Sequence, residues 1–208
     1  MGRRVRGTVD KRKRKSRYVV KTPSYLFNGM NLYEIPAADP ELLIDRIVDI
    51  QLGVLKRSFD EKDLSTIVLL QVKRVSGNTA FTEFKGFYMI PDYIQSKIHR
   101  GISKIECIKT LHTADGVKVR INTIVITAHR CRTKVKEDIR KAVFKYRSER
   151  VPKMSFEEFA NFVLSGLPEE EIHPIVHKIF PVSEVLVAKV KVLSDPTERT
   201  PQEAQATE

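Results

Sequence analysis

The stretch from Ile105 to Ile126 most restricts what this chain can fold into. Ile105 to Leu111 and Val117 to Ile126 are rich in β-branched residues, and Thr113-Ala114-Asp115-Gly116 joins them. Asp-Gly between two such runs selects a hairpin. Val117, Val119, Ile121, Thr123 and Val125 alternate with Lys118, Arg120 and Asn122. One face of the second strand therefore packs on a core and the other carries cations. A second hairpin is predicted from Ser65 to Arg74 and Thr79 to Lys85, turning at Ser76-Gly77-Asn78.

The remaining segments add helices without strict strand–helix alternation. Tyr18-Val19-Val20 reads as a short strand, and Asn28-Gly29 as a turn. Asp39-Pro40-Glu41 opens a brief helix to about Asp45, and Val48, Ile50, Leu52 and Val54 alternate as a strand. Pro91 opens a short helix carrying Ile94 and Ile98 inward, with Gly101 as its stop. Ile121 to Thr127 leads through a basic loop into a helix whose Val135, Ile139, Ala142, Val143 and Tyr146 recur at helical spacing. Ser155-Phe156-Glu157-Glu158 is a capping box. Glu169, Glu170 and Glu171 suit the positive end of the next helix, and Ser183 to Leu193 is a final strand. The sum is six or seven strands and four helices. This predicts an α+β domain over residues 18–193, with a mostly antiparallel, barrel-like sheet and flanking helices.

Charge is unevenly placed along the chain. The 208 residues carry a net +11, of which residues 1–21 hold +9 and residues 194–208 hold −3. Residues 1–17 have little to bury and are expected to be a disordered basic arm, and residues 194–208 a disordered acidic tail. From Ala128 to Arg150 there are nine Lys or Arg against three Asp or Glu. Such asymmetry points to a polyanion, nucleic acid before membrane. The candidate RNA-binding residues are Arg3, Arg4, Arg6, Lys11, Arg12, Lys13, Arg14, Lys15 and Arg17 in the arm. Lys118 and Arg120 add to them from the strand, on a surface expected to adjoin the basic loop. Arg130, Arg132, Lys134, Lys136, Arg140, Lys141 and Lys145 complete the set in the loop and helix. The basic side chains are expected to project outward.

No motif demands catalysis or a cofactor. The nine glycines form neither a phosphate loop nor a dinucleotide fingerprint. His173 and His177 have a metal-ligand spacing with Glu170 in helical register, but two surface helix histidines explain them more simply. His129 and Cys131 are a weak pair for a nucleophile, and Cys107 on an alternating strand reads as core. Two distant cysteines support no disulfide framework, and the expected compartment is the cytoplasm. No apolar run nears about 18 residues, so no membrane partner is expected. Phe81, Phe84, Phe87, Tyr88 and Tyr93 are mostly core, and Phe81 and Phe84 cannot share a strand face.

Several blocks resemble one family. Pro36-Ala37-Ala38-Asp39-Pro40-Glu41, Gly77-Asn78-Thr79-Ala80-Phe81, Ile139-Arg140-Lys141, Ile179-Phe180-Pro181 and Lys189-Val190-Lys191-Val192-Leu193 occur in sequence. Together they resemble the archaeal and eukaryotic small-subunit ribosomal protein family S-three-a-e, over about residues 18–193. The resemblance implies a structural, non-catalytic role on the platform of the small ribosomal subunit. It implies contacts with small-subunit ribosomal RNA, neighbouring ribosomal proteins and mRNA near the exit channel. Arg130, Lys136, Arg140 and Lys141 match the family in the basic stretch. Arg17 stands where the family usually has Trp, and the segment from Phe87 to Gly101 lacks its usual basic run. The short tail looks archaeal. A non-ribosomal RNA- or DNA-binding protein, a chaperone or chromatin factor, is the alternative.

Overall fold

A computed structural model describes residues 15–194. The expected disorder of the arm and tail falls mostly on residues outside that range. Within it, β5 (Thr79–Met89) organises the rest. One of its edges pairs along its length with β4 (Thr66–Ser76), as predicted, turning at Gly77 with φ +57°. The other edge is shared. Val19–Lys21 of β1 (Ser16–Lys21) run parallel to Thr79–Phe81, and Lys189–Lys191 of β8 (Val182–Ser194) run antiparallel to Gly86–Tyr88. β2 (Asn31–Ala37) pairs with β1, and β3 (Ile47–Gln51) with β4. β8 pairs with β7 (Lys118–Thr127), which pairs with β6 (Lys104–His112) in the predicted hairpin. The result is an eight-stranded, largely antiparallel sheet that forks at β5.

Each branch has its own packing logic. In the order β3-β4-β5-β1-β2, the sheet curls around Val20, Ile35, Val48, Val68, Leu70, Ala80 and Phe84, all buried. β2 and β3 approach, with the Tyr33 hydroxyl donating to the Asp49 carbonyl at 3.5 Å, but no ladder joins them. The barrel is begun and left open. In the branch β8-β7-β6 both faces are covered at one end. On one face Ile105, Cys107, Val125 and Val185 meet Ile139 and Val143 of α4 (Thr133–Arg150) and Ile172 and Val176 of α6 (Leu167–His177). On the other, Ile124, Ile126, Leu186 and Ala188 meet Tyr93 and Ile94 of α3 (Pro91–Ser96). Full burial of such aliphatic side chains stabilises by about 1.5–3 kcal/mol each. α5 (Phe156–Ser165) starts at the predicted capping box, with Ser155 and Glu158 bonded reciprocally, and buries Phe159 in the first core.

Several expectations are corrected. There are eight strands and six α-helices among the described residues, more than the sequence pattern implied. The strand read through Val54 ends at Gln51. Leu52–Lys56 is a short helix, α1, that buries Leu52 and Leu55 and exposes Val54. A short apolar run carries too little periodicity to separate the two states. β2 has no counterpart in the sequence reading, because Pro36 and its polar residues lack a strand signature. The brief helix after Asp39 is a 3-10 turn over Pro40–Leu43. β1 takes in Ser16 and Arg17 from the expected arm, and β8 takes in Ser194 from the expected tail.

Glu169 is also more than a dipole partner. It is buried, its Oε1 accepts from the Val187 N–H at 2.6 Å, and its Oε2 meets Lys62 of α2 (Glu61–Leu64). The bond from Val187 lies in the part of β8 that β5 does not cover. Burial pushes the Glu169 carboxyl up, while Lys62 and the Val187 amide pull it down.

Candidate nucleic-acid interface

The basic loop is fixed from below. The Thr127 hydroxyl accepts from the Ser103 N–H at 3.0 Å and lies 2.7 Å from the His129 carbonyl oxygen. The Cys131 N–H donates to the Ser103 Oγ at 3.2 Å, and the Cys131 side chain is buried in the core beside Ile139. Ala128 donates to the Pro181 carbonyl at 3.0 Å. With its underside anchored, the loop presents His129, Arg130 and Arg132 to solvent. Cys131 is therefore structural, and Cys107 is likewise buried, with burial pushing its thiol up.

α4 starts at this loop with no side-chain cap and no acid in its first turn. Its free N–H groups and the positive end of its dipole are joined by Lys134 and Lys136. Arg130, Arg132, Thr133 and Lys136 line a shallow open depression there. Such an arrangement raises local positive potential and offers donors to a phosphate. Lys134, Lys141 and Lys145 are exposed and recur at helical spacing, a stripe about 16 Å long.

Two arginines of α4 turn inward. The Arg140 Nε donates to the Glu106 carbonyl of β6 at 3.3 Å, so this half-buried side chain is partly spent on the fold. Arg147, expected to point outward, is only 3% exposed. Its Nη1 donates to the carbonyls of Cys107 at 3.1 Å and Ile121 at 3.4 Å. Burial lowers its pKa to about 10. It stands on the stripe of Ile139 and Val143, at successive four-residue steps, which is the signal that places it inside.

Lys118 and Arg120 do not adjoin the loop. They leave the face of β7 opposite α4, and Arg120 is seven residues from Thr127, about 23 Å along the strand. They form a second basic surface instead. Lys191 lies opposite Arg120, Lys189 opposite Asn122, and half-exposed Tyr88 opposite Lys189. Both Lys189 and Lys191 are exposed. They belong with the candidate residues. The alternation of the last strand was the signal available for them. Thr110 accepts from the Arg120 Nε at 3.3 Å, which orients that guanidinium.

The other candidates are scattered. Lys15 is exposed, and Arg17 projects from β1 toward Glu34 at 3.5 Å in a solvent-exposed pair of little energetic weight. Arg3, Arg4, Arg6, Lys11, Arg12, Lys13 and Arg14 lie outside the described residues. The His173 and His177 rings stack at 5.5 Å, and the His177 Nδ1 accepts from the Val182 N–H at 3.4 Å. Among the described residues no three His, Cys, Asp or Glu side chains are grouped to hold a metal. Phe84 is buried, whereas Phe81 is half-buried under the Arg74 guanidinium at 4.9 Å.

A family model described as the Ribosomal S3Ae family matches residues 3–196. The chain belongs to that family. Its similarity to individual members is spread over nearly the whole length. It is 32% identical to the small ribosomal subunit protein eS1 of Methanopyrus kandleri, covering 94% of this chain and 93% of that protein. The eS1 protein of Pyrobaculum islandicum is 36% identical over 91% of this chain and 82% of its own length. That of Staphylothermus marinus is 35% identical, with 97% and 94% covered. Family membership spans both branches of the sheet, including the loop and α4.

Proposed function

We propose that this protein is a structural constituent of the small ribosomal subunit, located in the cytoplasm, that holds small-subunit ribosomal RNA. One observation carries the contact surface: an uncapped helix start ringed by Arg130, Arg132, Lys134 and Lys136, continued by Lys141 and Lys145 along α4. Cations crowded at the positive end of a helix dipole repel one another and the dipole. A phosphate backbone relieves that repulsion. Residues 1–17 supply the second part of the grip, a basic arm beside a single domain spanning residues 18–193. Lys118, Arg120, Lys189 and Lys191 form an additional cationic surface on the opposite sheet face. The relatives' name supports the small subunit, and the family resemblance implies a place on its platform near the mRNA exit. Neighbouring ribosomal proteins, and mRNA passing that exit, are the further partners of this reading.

The test is RNA binding by the full chain across a salt series, with sedimentation of subunits carrying the same variants. Each lost phosphate contact lowers the slope of log K against log salt by about 0.7–0.9. Lys134→Glu with Lys141→Glu and Lys145→Glu should lower the slope by at least two contacts and weaken co-sedimentation with small subunits. Lys189→Glu with Lys191→Glu reads the second surface separately. Unchanged slope and incorporation in the α4 variant would refute the assignment. Binding to RNA without co-sedimentation at high salt would favour a non-ribosomal nucleic-acid-binding protein.

A further inference from the structure

The open barrel leaves a gap between two strands whose outer edges carry no partner strand among the described residues. There β2 pairs with β1 alone, and β3 with β4 alone. The groove between them is lined by Leu32 and Tyr33 on one side and by Asp49, Ile50 and Val54 on the other. A tyrosine side chain spans it in place of a backbone ladder. Its lips carry bare apolar surface: Tyr33 is 46% exposed, Ile47 50% and Val54 59%. Unpaired strand edges are templates for an added strand, with main-chain bonds supplying affinity and alternate side chains specificity.

Charge selects the occupant. The span of residues 31–63 holds eight Asp or Glu and four Lys or Arg, a net −4 within a chain of +11. Glu34 and Asp49 are exposed on the two edge strands. Acidic edges repel the phosphates of RNA, and they repel the same edges of a second copy. They attract a cationic backbone-exposed segment. We propose that this groove takes up an extended, lysine- and arginine-rich segment of another protein, which adds as a strand between β2 and β3 and closes the barrel. Through the pairings of β1, β5 and β4, β2 and β3 run antiparallel to each other. The added strand is therefore parallel to one and antiparallel to the other. In the small-subunit reading, on which the choice of partner rests, it comes from a neighbouring ribosomal protein.

Two experiments test this. The first uses the isolated full chain and two synthetic decapeptides, one alternating Lys and Val, the other alternating Glu and Val. The Lys-Val peptide should slow amide exchange on the free edges of β2 and β3 by about tenfold or more. The Glu-Val peptide should not. Val54→Lys, on an exposed position, should weaken the Lys-Val peptide about tenfold by like-charge repulsion. No protection, or equal protection by both peptides, overturns the proposal. The second places benzoylphenylalanine at position 54 and irradiates purified small subunits, with incorporation checked by sedimentation. Cross-links to a Lys- and Arg-rich segment of another protein support it. Cross-links to RNA, to this chain's own residues or to a second copy, or none at all, overturn it. A chain that fails to sediment with subunits counts against the small-subunit reading, and the peptide experiment then decides the groove alone.

Discussion

Gly86→Ala is the perturbation with the largest calculable consequence. Gly86 has φ +147°, a region that side-chain-bearing residues rarely adopt. A Cβ there would lie 2.2 Å from the Val190 carbonyl oxygen, 3.1 Å from its carbon and 3.2 Å from the Lys191 Cα. These atoms are all backbone, so no flexible side chain can yield. The seam between β5 and β8 would have to open by about 1 Å to make the closest contact ordinary. That seam is short, with register pairs only at Gly86, Phe87 and Tyr88. Backbone strain of this kind costs about 1–3 kcal/mol. Weakening two or three ladder bonds adds about 1–3 kcal/mol. A total of about 2–6 kcal/mol is a large part of the 5–15 kcal/mol that a domain of this kind has to spare. With a urea m-value of about 2 kcal/mol/M, the midpoint should fall by about 1–3 M. Gly77→Ala is the control, since Gly77 also has positive φ, +57°, but nothing lies within 4 Å of its added Cβ. It should cost about 1–2 kcal/mol through conformation alone. If Gly86→Ala costs no more than Gly77→Ala, the close approach to Val190 does not constrain the seam.

Lys62→Met should destabilise more at pH 7 than at pH 5. Burial already raises the Glu169 carboxyl, and without Lys62 it rises further. An acid with a raised pKa in the fold supports stability below its unfolded pKa and loses that support as pH rises through the folded value. The expected loss is about 1–2 kcal/mol at pH 7, shrinking toward acid, read by urea melts at the two pH values; a pH-independent loss would show that Glu169 stays paired. Arg147→Ala should cost about 3 kcal/mol, from the cavity and the two hydrogen bonds it removes. Arg147→Met should lie within about 1.5 kcal/mol of the parent, because folding disfavours this guanidinium at every pH below about 10. Equal losses in thermal melts would mean that the two hydrogen bonds outweigh the buried charge.

Where the sequence carried a strong local signal, the elements followed. Asp115-Gly116 and Gly77-Asn78 turn between their strands, and Ser155 caps α5 through Glu158. Local chemistry was enough there, because a hairpin and a cap are decided by residues within reach of one another. β2 was not legible, since its pairing with β1 is its main support and its own residues are mixed. The candidate interface was legible in charge but not in geometry. Arg130, Arg132, Lys134, Lys141 and Lys145 are outward as expected. Arg147 is in the same run of cations, yet its place on the Ile139–Val143 stripe sends it to the core. Lys118 and Arg120 are close to Arg130 in sequence, but an extended strand carries them about 23–30 Å from its end at Thr127 and onto the other face.

The fork at β5 gives these separate observations a common cause. A sheet that branches from one strand makes two surfaces whose residues need not be compatible. Residues 31–63, in the barrel branch, are net −4, while residues 104–194, in the other, hold seventeen Lys or Arg against eleven Asp or Glu, a net +6. On one continuous sheet face such charges would partly cancel and attract neither partner strongly. Placed on different branches, they present opposite potentials on different parts of the surface. The branches meet at a strand pairing of three residues and share a core in which Val119, Ile121 and Val190 join Val20, Val68 and Phe84, and the close approach of β5 to β8 at that meeting is one that only glycine at position 86 permits. A side chain there would act on stability and also on how the two surfaces are presented to their partners. Binding of RNA to α4 and of a basic peptide to the β2–β3 groove should therefore both weaken in Gly86→Ala at temperatures where the variant is still folded, whereas Gly77→Ala should leave both unchanged.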